Sequence, residues 1–268
     1  MDLGLKGRLA LITGSTRGLG RTIAETLAKE GVEVIINGRN EPDIKQAMYD
    51  ISSKYNVQTY GCPVDVTDSQ AIKIFFELGP IAAHGRLDIL VNNVGNIEKF
   101  GSFTDIEDQD WLQCFNLTFM SVVRFTREAI PYLEQSSHGR IINISSLPSH
   151  QPGNFNPHYS AVKAAINNLT KHLSNILGSK NILVNAVCPS SLDGGGWLQN
   201  IESRAEREGI TIEEAERIMR IEESNKSPLR KMGTLADVAS QVTYLASDRA
   251  NFLTGQIYNI DGGITKGF

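Results

Sequence analysis

The stretch "HYSAVKAA" at residues 158–165 sets Tyr159 and Lys163 four positions apart. On a helix, residues i and i+4 share one face, so a phenol and an ammonium become neighbours. A nearby positive charge favours the ionised form of an acid. Tyrosine ordinarily titrates at about 10, and a lysine at this spacing is placed to bring that value toward neutrality. The same spacing also describes a solvated pair on an amphipathic helix, so other residues have to decide. Upstream, "INISS" supplies Ser145 and Ser146. "TGSTRGLG" supplies Gly14, Gly18 and Gly20, and "NNVG" ends at Gly95. A glycine loop running into a helix N-terminus permits a tight turn and close backbone approach, which suits a pyrophosphate.

Apolar runs and helical patterns alternate along the chain, and these elements position the residues above. "RLALIT", "VEVIIN", "VQTYGCPVDV", "LDILVNN", "RIINIS", "ILVNAVCP" and "GQIYNI" read as seven strands. Between them, periodic segments read as helices. One begins near Pro42, one is ended or kinked at Gly79-Pro80, and a long one covers roughly Asp108 to Leu133. The pattern predicts an α/β, Rossmann-type doubly wound fold: a mostly parallel seven-stranded sheet with helices on both faces, in one domain spanning 1–268. In such sheets, ligands sit outside the carboxyl ends of the strands. The glycine loop, "NNVG", Ser145-Ser146, Cys188-Pro189 and the Tyr159–Lys163 turn all fall at those ends. Their convergence on one rim lifts the tyrosine–lysine pair above a surface pair.

Composition excludes other classes. The 268 residues are 41% apolar with a formal net charge of −4, which gives no basic excess for nucleic acid. No run of about 18 apolar residues points to a membrane span. The N-terminal stretch shows no signal-peptide pattern, so a cytoplasmic setting is expected. Cys62, Cys114 and Cys188 fit no disulfide or metal spacing, and the five histidines show none either. No metal is expected.

Taken in order, these motifs resemble the short-chain dehydrogenases/reductases in their compact form, over nearly the whole chain. "TGSTRGLG" is similar to T-G-x-x-x-G-x-G, "NNVG" to N-N-A-G, "YSAVK" to Y-x-x-x-K, and "IDGG" to the terminal turn. Ser146 precedes Tyr159 by the family's interval of 13 residues. Within the family, the chain looks most like the 3-oxoacyl-carrier-protein reductases. The resemblance implies that Tyr159 is the general acid in carbonyl reduction and that Lys163 lowers its pKa and binds the nicotinamide ribose. It further implies that Ser146 holds the substrate oxygen, with Ser145 the competing serine, and that Asn116 supports a water linked to Lys163. For the cofactor it implies Gly14, Ser15, Thr16, Arg17, Gly18, Leu19, Arg39, Asp65, Val66, Asn93, Gly95, Pro189 and Leu192, besides Tyr159 and Lys163. A small carbonyl or acyl-thioester substrate and a homotetramer follow from the same likeness. Hydride addition to C=O builds charge on oxygen, which two hydroxyl donors stabilise. An NAD-linked alcohol dehydrogenase of the same family and a non-catalytic NADP(H) sensor on the same fold are the alternatives; the intact Ser146, Tyr159 and Lys163 argue against the sensor.

Departures from the family pattern are Val94 for alanine, Ser190 for glycine, and Gly194 where a threonine often holds the nicotinamide amide. Residues of about 192–228 form a charged insertion. Glycines 194–196 read as a hinge, and Thr211 with Glu214 as a capping box that starts a helix. Ile212, Ala215, Met219 and Glu222 fall on one stripe of that helix. The insertion is expected to be a helical lid, with Trp197 and the Leu147–His158 loop lining the pocket. Strand 2 ends in Gly38-Arg39, where NAD-selecting sheets carry Asp or Glu on the ribose 2′-hydroxyl. Glycine leaves room there, and Arg39 with Arg17 can pair with a 2′-phosphate, so NADP(H) is expected over NAD(H).

Overall fold

Leu9–Ile12 form β1, and all four residues are buried. Ala10 and Ile12 face one hydrophobic cluster, while Leu9 and Leu11 face the other. A strand covered on both sides needs apolar residues at every position, which is why "LALI" does not alternate. The structure is a computed structural model and describes residues 1–194 and 196–267.

The other strands are β2 (Glu33–Gly38), β3 (Thr59–Pro63), β4 (Ile89–Asn92), β5 (Gly139–Ile144), β6 (Ile182–Pro189), β7 (Leu192–Asp193), β8 (Gly233–Thr234) and β9 (Ile257–Ile260). The helices are α1 (Gly18–Lys29), α2 (Glu41–Tyr55), α3 (Ser69–Leu78), α4 (Pro80–His84), α5 (Asp108–Cys114), α6 (Met120–Leu133), α7 (Pro157–Leu177), α8 (Trp197–Glu208), α9 (Ile212–Lys226) and α10 (Leu235–Ala246). Seven strands pair in the order β3-β2-β1-β4-β5-β6-β9, and every pairing is parallel. The strand order reverses between β1 and β4, the switch point at which such sheets take ligands. α1, α2 and α10 cover one face, and α3, α6 and α7 cover the other.

The expected seven-stranded, doubly wound sheet is therefore observed. Two features depart from the expectation. β7 and β8 form a small separate pairing. The long helix near Asn116 is interrupted by a π-helical stretch at Phe115–Phe119. Gly79 does separate α3 from α4, as the Gly79-Pro80 signal indicates.

In the insertion, α8 and α9 pack on each other around a small core of Trp197, Ile201, Ala205 and Ala215. Thr211 Oγ1 accepts from Glu214 N at 3.2 Å and starts α9 as expected. Arg204 ties the two helices through both carboxylate oxygens of Glu222, with one contact at 3.1 Å. Two expectations are corrected. Trp197 is 6% exposed and belongs to this small core, where apolar neighbours take up its large ring surface. Ile212 is 46% exposed, so the stripe on α9 is packed mainly at Ala215 and Met219. Gly195 of the expected hinge lies outside the described residues.

Candidate active site

The helix bearing Tyr159 is fixed at its first turn. Asn156, the N-cap of α7, has φ +55°, a backbone region that asparagine tolerates better than most residues. Its Oδ1 accepts from Gly101 N at 3.1 Å, and its own N–H donates to the Gly101 carbonyl at 2.8 Å. Pro157 follows at the first helical position, where a missing N–H is no loss. Asn156 was not singled out from sequence; the Asn-Pro step before a helical run is the signal that marks it.

The two serines after β5 divide the work. Ser145 is buried, its N–H donates to the Val187 carbonyl at 2.8 Å, and its Oγ donates to the Lys163 carbonyl at 3.1 Å. It ties β5 to β6 and α7. Ser146 is partly exposed, and it stands near enough to Tyr159 to act on the phenol's ionisation. Lys163 is 2% exposed. Its Nζ donates to the Ile144 carbonyl at 2.7 Å and lies 5.4 Å from the centre of the Tyr159 ring. A Cβ at Gly95 would stand 2.7 Å from that Nζ, so the glycine of "NNVG" makes room for the ammonium.

The electrostatics correct one expectation. Burial pushes the Tyr159 phenol up to about 12, against the opposing hydrogen bond from Ser146. Burial likewise brings Lys163 down to about 8. Desolvation disfavours whichever form is charged, so it drives acid and base apart. The tyrosine is not tuned toward neutrality here, because burial outweighs the lowering effect of Ser146.

Asn116 lies in the π-helical stretch, a local geometry frequent at functional sites. Its Oδ1 accepts from Arg124 Nη2 at 2.6 Å and its carbonyl from Nη1 at 3.3 Å. Arg124 Nη1 also reaches the Val66 carbonyl at 3.4 Å. The side chain of Asn116 is thus engaged by Arg124. Arg124 was missed from sequence, since a single arginine on a helix carries no signal.

The nucleotide end is built from backbone. Gly14 and Gly18 have φ +62° and +57°, a region in which L side chains are strained. A Cβ at Gly20 would lie 2.3 Å from the Gly14 carbonyl oxygen. α1 has no side-chain cap and no acidic residue in its first turn, so its N–H groups stay available to an anion. Asn93 braces the loop, with Nδ2 donating to the Thr13 carbonyl at 3.0 Å. Val94 packs close to Gly14. Ser15 is buried, and its Oγ donates to the Ile12 carbonyl at 2.7 Å while accepting from Asn37 N at 3.0 Å. Its hydroxyl therefore holds β1 to β2. Thr16, Arg17, Gly18 and Leu19 line the turn, and Thr16 stands against Gly38, where a Cβ would lie 2.7 Å away. Arg17 and Arg39 are exposed. Burial raises Asp65, but hydrogen bonds from Thr67 and the charge of Arg39 bring its carboxyl below the ordinary value.

At the other end, Pro189 closes β6 and Leu192 lies half-buried on β7. Ser190 N donates to the Ile260 carbonyl at 3.2 Å. Gly194 has φ +106°, so glycine meets a backbone requirement there that threonine does not. Uncapped N–H groups, a loop built for close approach and two exposed arginines together fit a dinucleotide carrying phosphates. Among the described residues, no group of three or more His, Cys, Asp or Glu could hold a metal ion, and no helix is long and apolar enough to cross a membrane.

The parallel doubly wound sheet carries the glycine turn after β1, Ser146 after β5, and Tyr159 and Lys163 on α7. The family model described as enoyl-(acyl carrier protein) reductase matches residues 14–265, and the chain belongs to the short-chain dehydrogenase/reductase family. It is a short-chain oxidoreductase. It is 32% identical to the uncharacterized oxidoreductase YvaG of Bacillus subtilis (strain 168), over 99% of both chains. It is also 32% identical to the 3-oxoacyl-(acyl-carrier-protein) reductase FabG of Aquifex aeolicus (strain VF5), covering 98% of this chain and all of that one. Among solved structures, it is similar to the L-sorbose reductase of Gluconobacter frateurii complexed with NADPH and L-sorbose. That likeness has a TM-score of 0.92 at 28% identity, covering 100% of both chains.

Proposed function

We propose that the protein is an NADP(H)-dependent reductase that interconverts a ketone and a secondary alcohol at Ser146 and Tyr159. The observation that carries this reading is the buried Lys163 ammonium set 5.4 Å from the centre of the Tyr159 ring. The nicotinamide supplies hydride to the carbonyl carbon when bound. The carbonyl oxygen receives hydrogen bonds from the Ser146 and Tyr159 hydroxyls, which stabilise its growing charge. Tyr159 then gives its proton to that oxygen, and Lys163 stabilises the tyrosinate so formed. In the oxidative direction the same groups act in reverse. Asn116 is a positioning residue that Arg124 holds in the π-helical stretch. Gly14 to Leu19, Asp65 to Val66, Asn93, Gly95, Pro189 and Leu192 hold the dinucleotide, with Arg17 and Arg39 on its 2′-phosphate.

The insertion acts as a lid over about 192–228. The Arg207 guanidinium lies 5.1 Å from the centre of the Phe155 ring, which joins α8 to the loop after β5. A 3-oxoacyl thioester is the substrate that the FabG likeness brings, and a hydroxylated ketone is the one that the L-sorbose reductase brings. The tetramer expected of the family is supported by exposed Leu112 and Phe115 near α5 and Ile176 on α7; light scattering tests it, and a monomer refutes it. The central test is Tyr159→Phe, which keeps the ring and removes the proton. Turnover falls by orders of magnitude while NADPH binding persists. A variant with near wild-type turnover on the best carbonyl substrate overturns the reading.

A further inference from the structure

Asn37 follows the apolar run of β2 and is 1% exposed. A buried carboxamide is costly unless its polar atoms are paired, and here they are. Its Oδ1 accepts from Gly14 N at 3.0 Å. Its Nδ2 donates to the Cys62 and Val64 carbonyls, each at 3.0 Å. Only this orientation of the amide gives each contact a donor and an acceptor. The main chain of Asn37 adds two bonds to the same turn. Its N–H donates to Ser15 Oγ at 3.0 Å, and its carbonyl accepts from Ser15 N at 2.9 Å. One residue thus joins the start of the glycine turn to the end of β3, where Val64 directly precedes Asp65 and Val66. On the other flank, Asn93 Nδ2 donates to the Thr13 and Gly14 carbonyls at 3.0 and 3.3 Å. Two amides therefore hold Gly14, one through its N–H and the other through its carbonyl, while its φ is +62°. The Gly14 N–H is committed to Asn37, which leaves an anion to the N–H groups at the start of α1.

We propose that Asn37 is a positioning residue for the dinucleotide, whose carboxamide sets the spacing between the turn at Gly14 to Leu19 and the contacts at Asp65 and Val66. This rests on the reading of those residues above as the cofactor site. Without the amide, the Gly14 N–H and the two β3 carbonyls lose their partner, and the turn relaxes. Binding must then restore its shape, so preorganisation is lost. The test is titration calorimetry of the full chain with NADPH and with NADH, well below the Tm of each variant. Asn37→Ala should weaken both cofactors by the same factor, at least about fivefold, the weight of one neutral hydrogen bond. The NADPH-to-NADH ratio stays at its wild-type value, because the amide lies away from the 2′-phosphate assigned to Arg39. In turnover the loss falls on KM for NADPH more than on kcat. Asn37→Ser, which keeps one short hydrogen-bonding group, loses less. A folded Asn37→Ala with wild-type affinity and a lowered Tm assigns the amide a purely structural role and overturns the proposal, as does a loss confined to one cofactor. If the alanine variant does not fold, Asn37→Ser decides by the same criteria, and wild-type affinity there overturns the proposal. Failure of the underlying reading looks different: wild type itself then binds neither cofactor.

Discussion

Replacing Arg39 by alanine tests the cofactor assignment at its most exposed point. β2 ends at Gly38, where a Cβ would stand 2.7 Å from Thr16 Cγ2, so a carboxylate at that position is sterically opposed by the glycine loop. Arg39 comes next and is exposed, with Asp65 close enough to feel its charge. A guanidinium can offer a phosphate two parallel N–H groups. Hydrogen bonds to charged groups contribute about 1.5–3 kcal/mol each. Exposure and the neighbouring carboxylate put Arg39 at the low end, since solvent screens surface charge. One or two such bonds then give about 1.5–3 kcal/mol, or roughly ten- to 150-fold in Kd. Arg39→Ala should weaken NADPH by that factor and leave NADH nearly unchanged. Titration calorimetry with both cofactors at low and high salt measures it, and the NADPH loss should shrink at high salt. Equal losses for both cofactors, or a wild type that prefers NADH, would refute the reasoning.

Gly95→Ala should lower turnover at least about tenfold with little loss of fold, because its Cβ would meet Lys163 Nζ at 2.7 Å and one displaced charge-assisted bond has that weight; unchanged turnover sinks the idea that Gly95 seats the ammonium. The Lys163 value of about 8 lies below its ordinary 10.5, so below pH 8 burial opposes the charged lysine in full. Between these values the unfolded chain binds the extra proton, and the opposition fades as pH rises. The Tm of wild type relative to Lys163→Met should therefore rise from pH 8 to 10.5, and a flat difference across that window contradicts the depressed value. Proteolysis should nick the α8–α9 insertion in the free protein and slow with NADPH plus ketone; equal protection in both states removes the lid.

The fold was legible because burial on two faces writes itself into composition. Leu9–Ile12 and Ile89–Asn92 carry almost nothing but apolar residues, and their order with the helices implies a parallel sheet. The glycine loop was legible for a related reason, since Gly14 and Gly18 occupy backbone conformations that few other residues take. The sequence offered candidate site residues, but several of their spatial relations were not legible. Nothing in "CFNLTF" announces a π-helical turn, nor that this stretch packs against α7. The Arg124–Asn116 contact spans eight residues and two helical segments. Gly194 read as a lost threonine contact, whereas its φ of +106° shows a different course of the loop. Trp197 read as pocket lining because sequence shows that an indole is present and not which way it turns.

The sign of the Tyr159 shift shows where spacing stops being informative. At i and i+4 on an exposed helix, the lysine would keep close to its ordinary value and solvent would screen its effect on the phenol. Inside the protein, burial moves the two groups in opposite directions, to about 12 for Tyr159 and about 8 for Lys163. A phenol at about 12 holds its proton throughout neutral pH, which is the state a reduction needs before it begins. A lysine at about 8 is still mainly charged at pH 7, and the Ile144 carbonyl and the bare Cα of Gly95 keep that charge in place. On the proposed reading, its influence is largest once the phenol has given its proton away and become an anion beside it. Stabilisation that arises only as charge develops is the kind that lowers a barrier. The ionisation of the pair is thus set by its surroundings at the strand ends, which is why the Tyr-x-x-x-Lys spacing means little until "NNVG" and "INISS" are placed beside it.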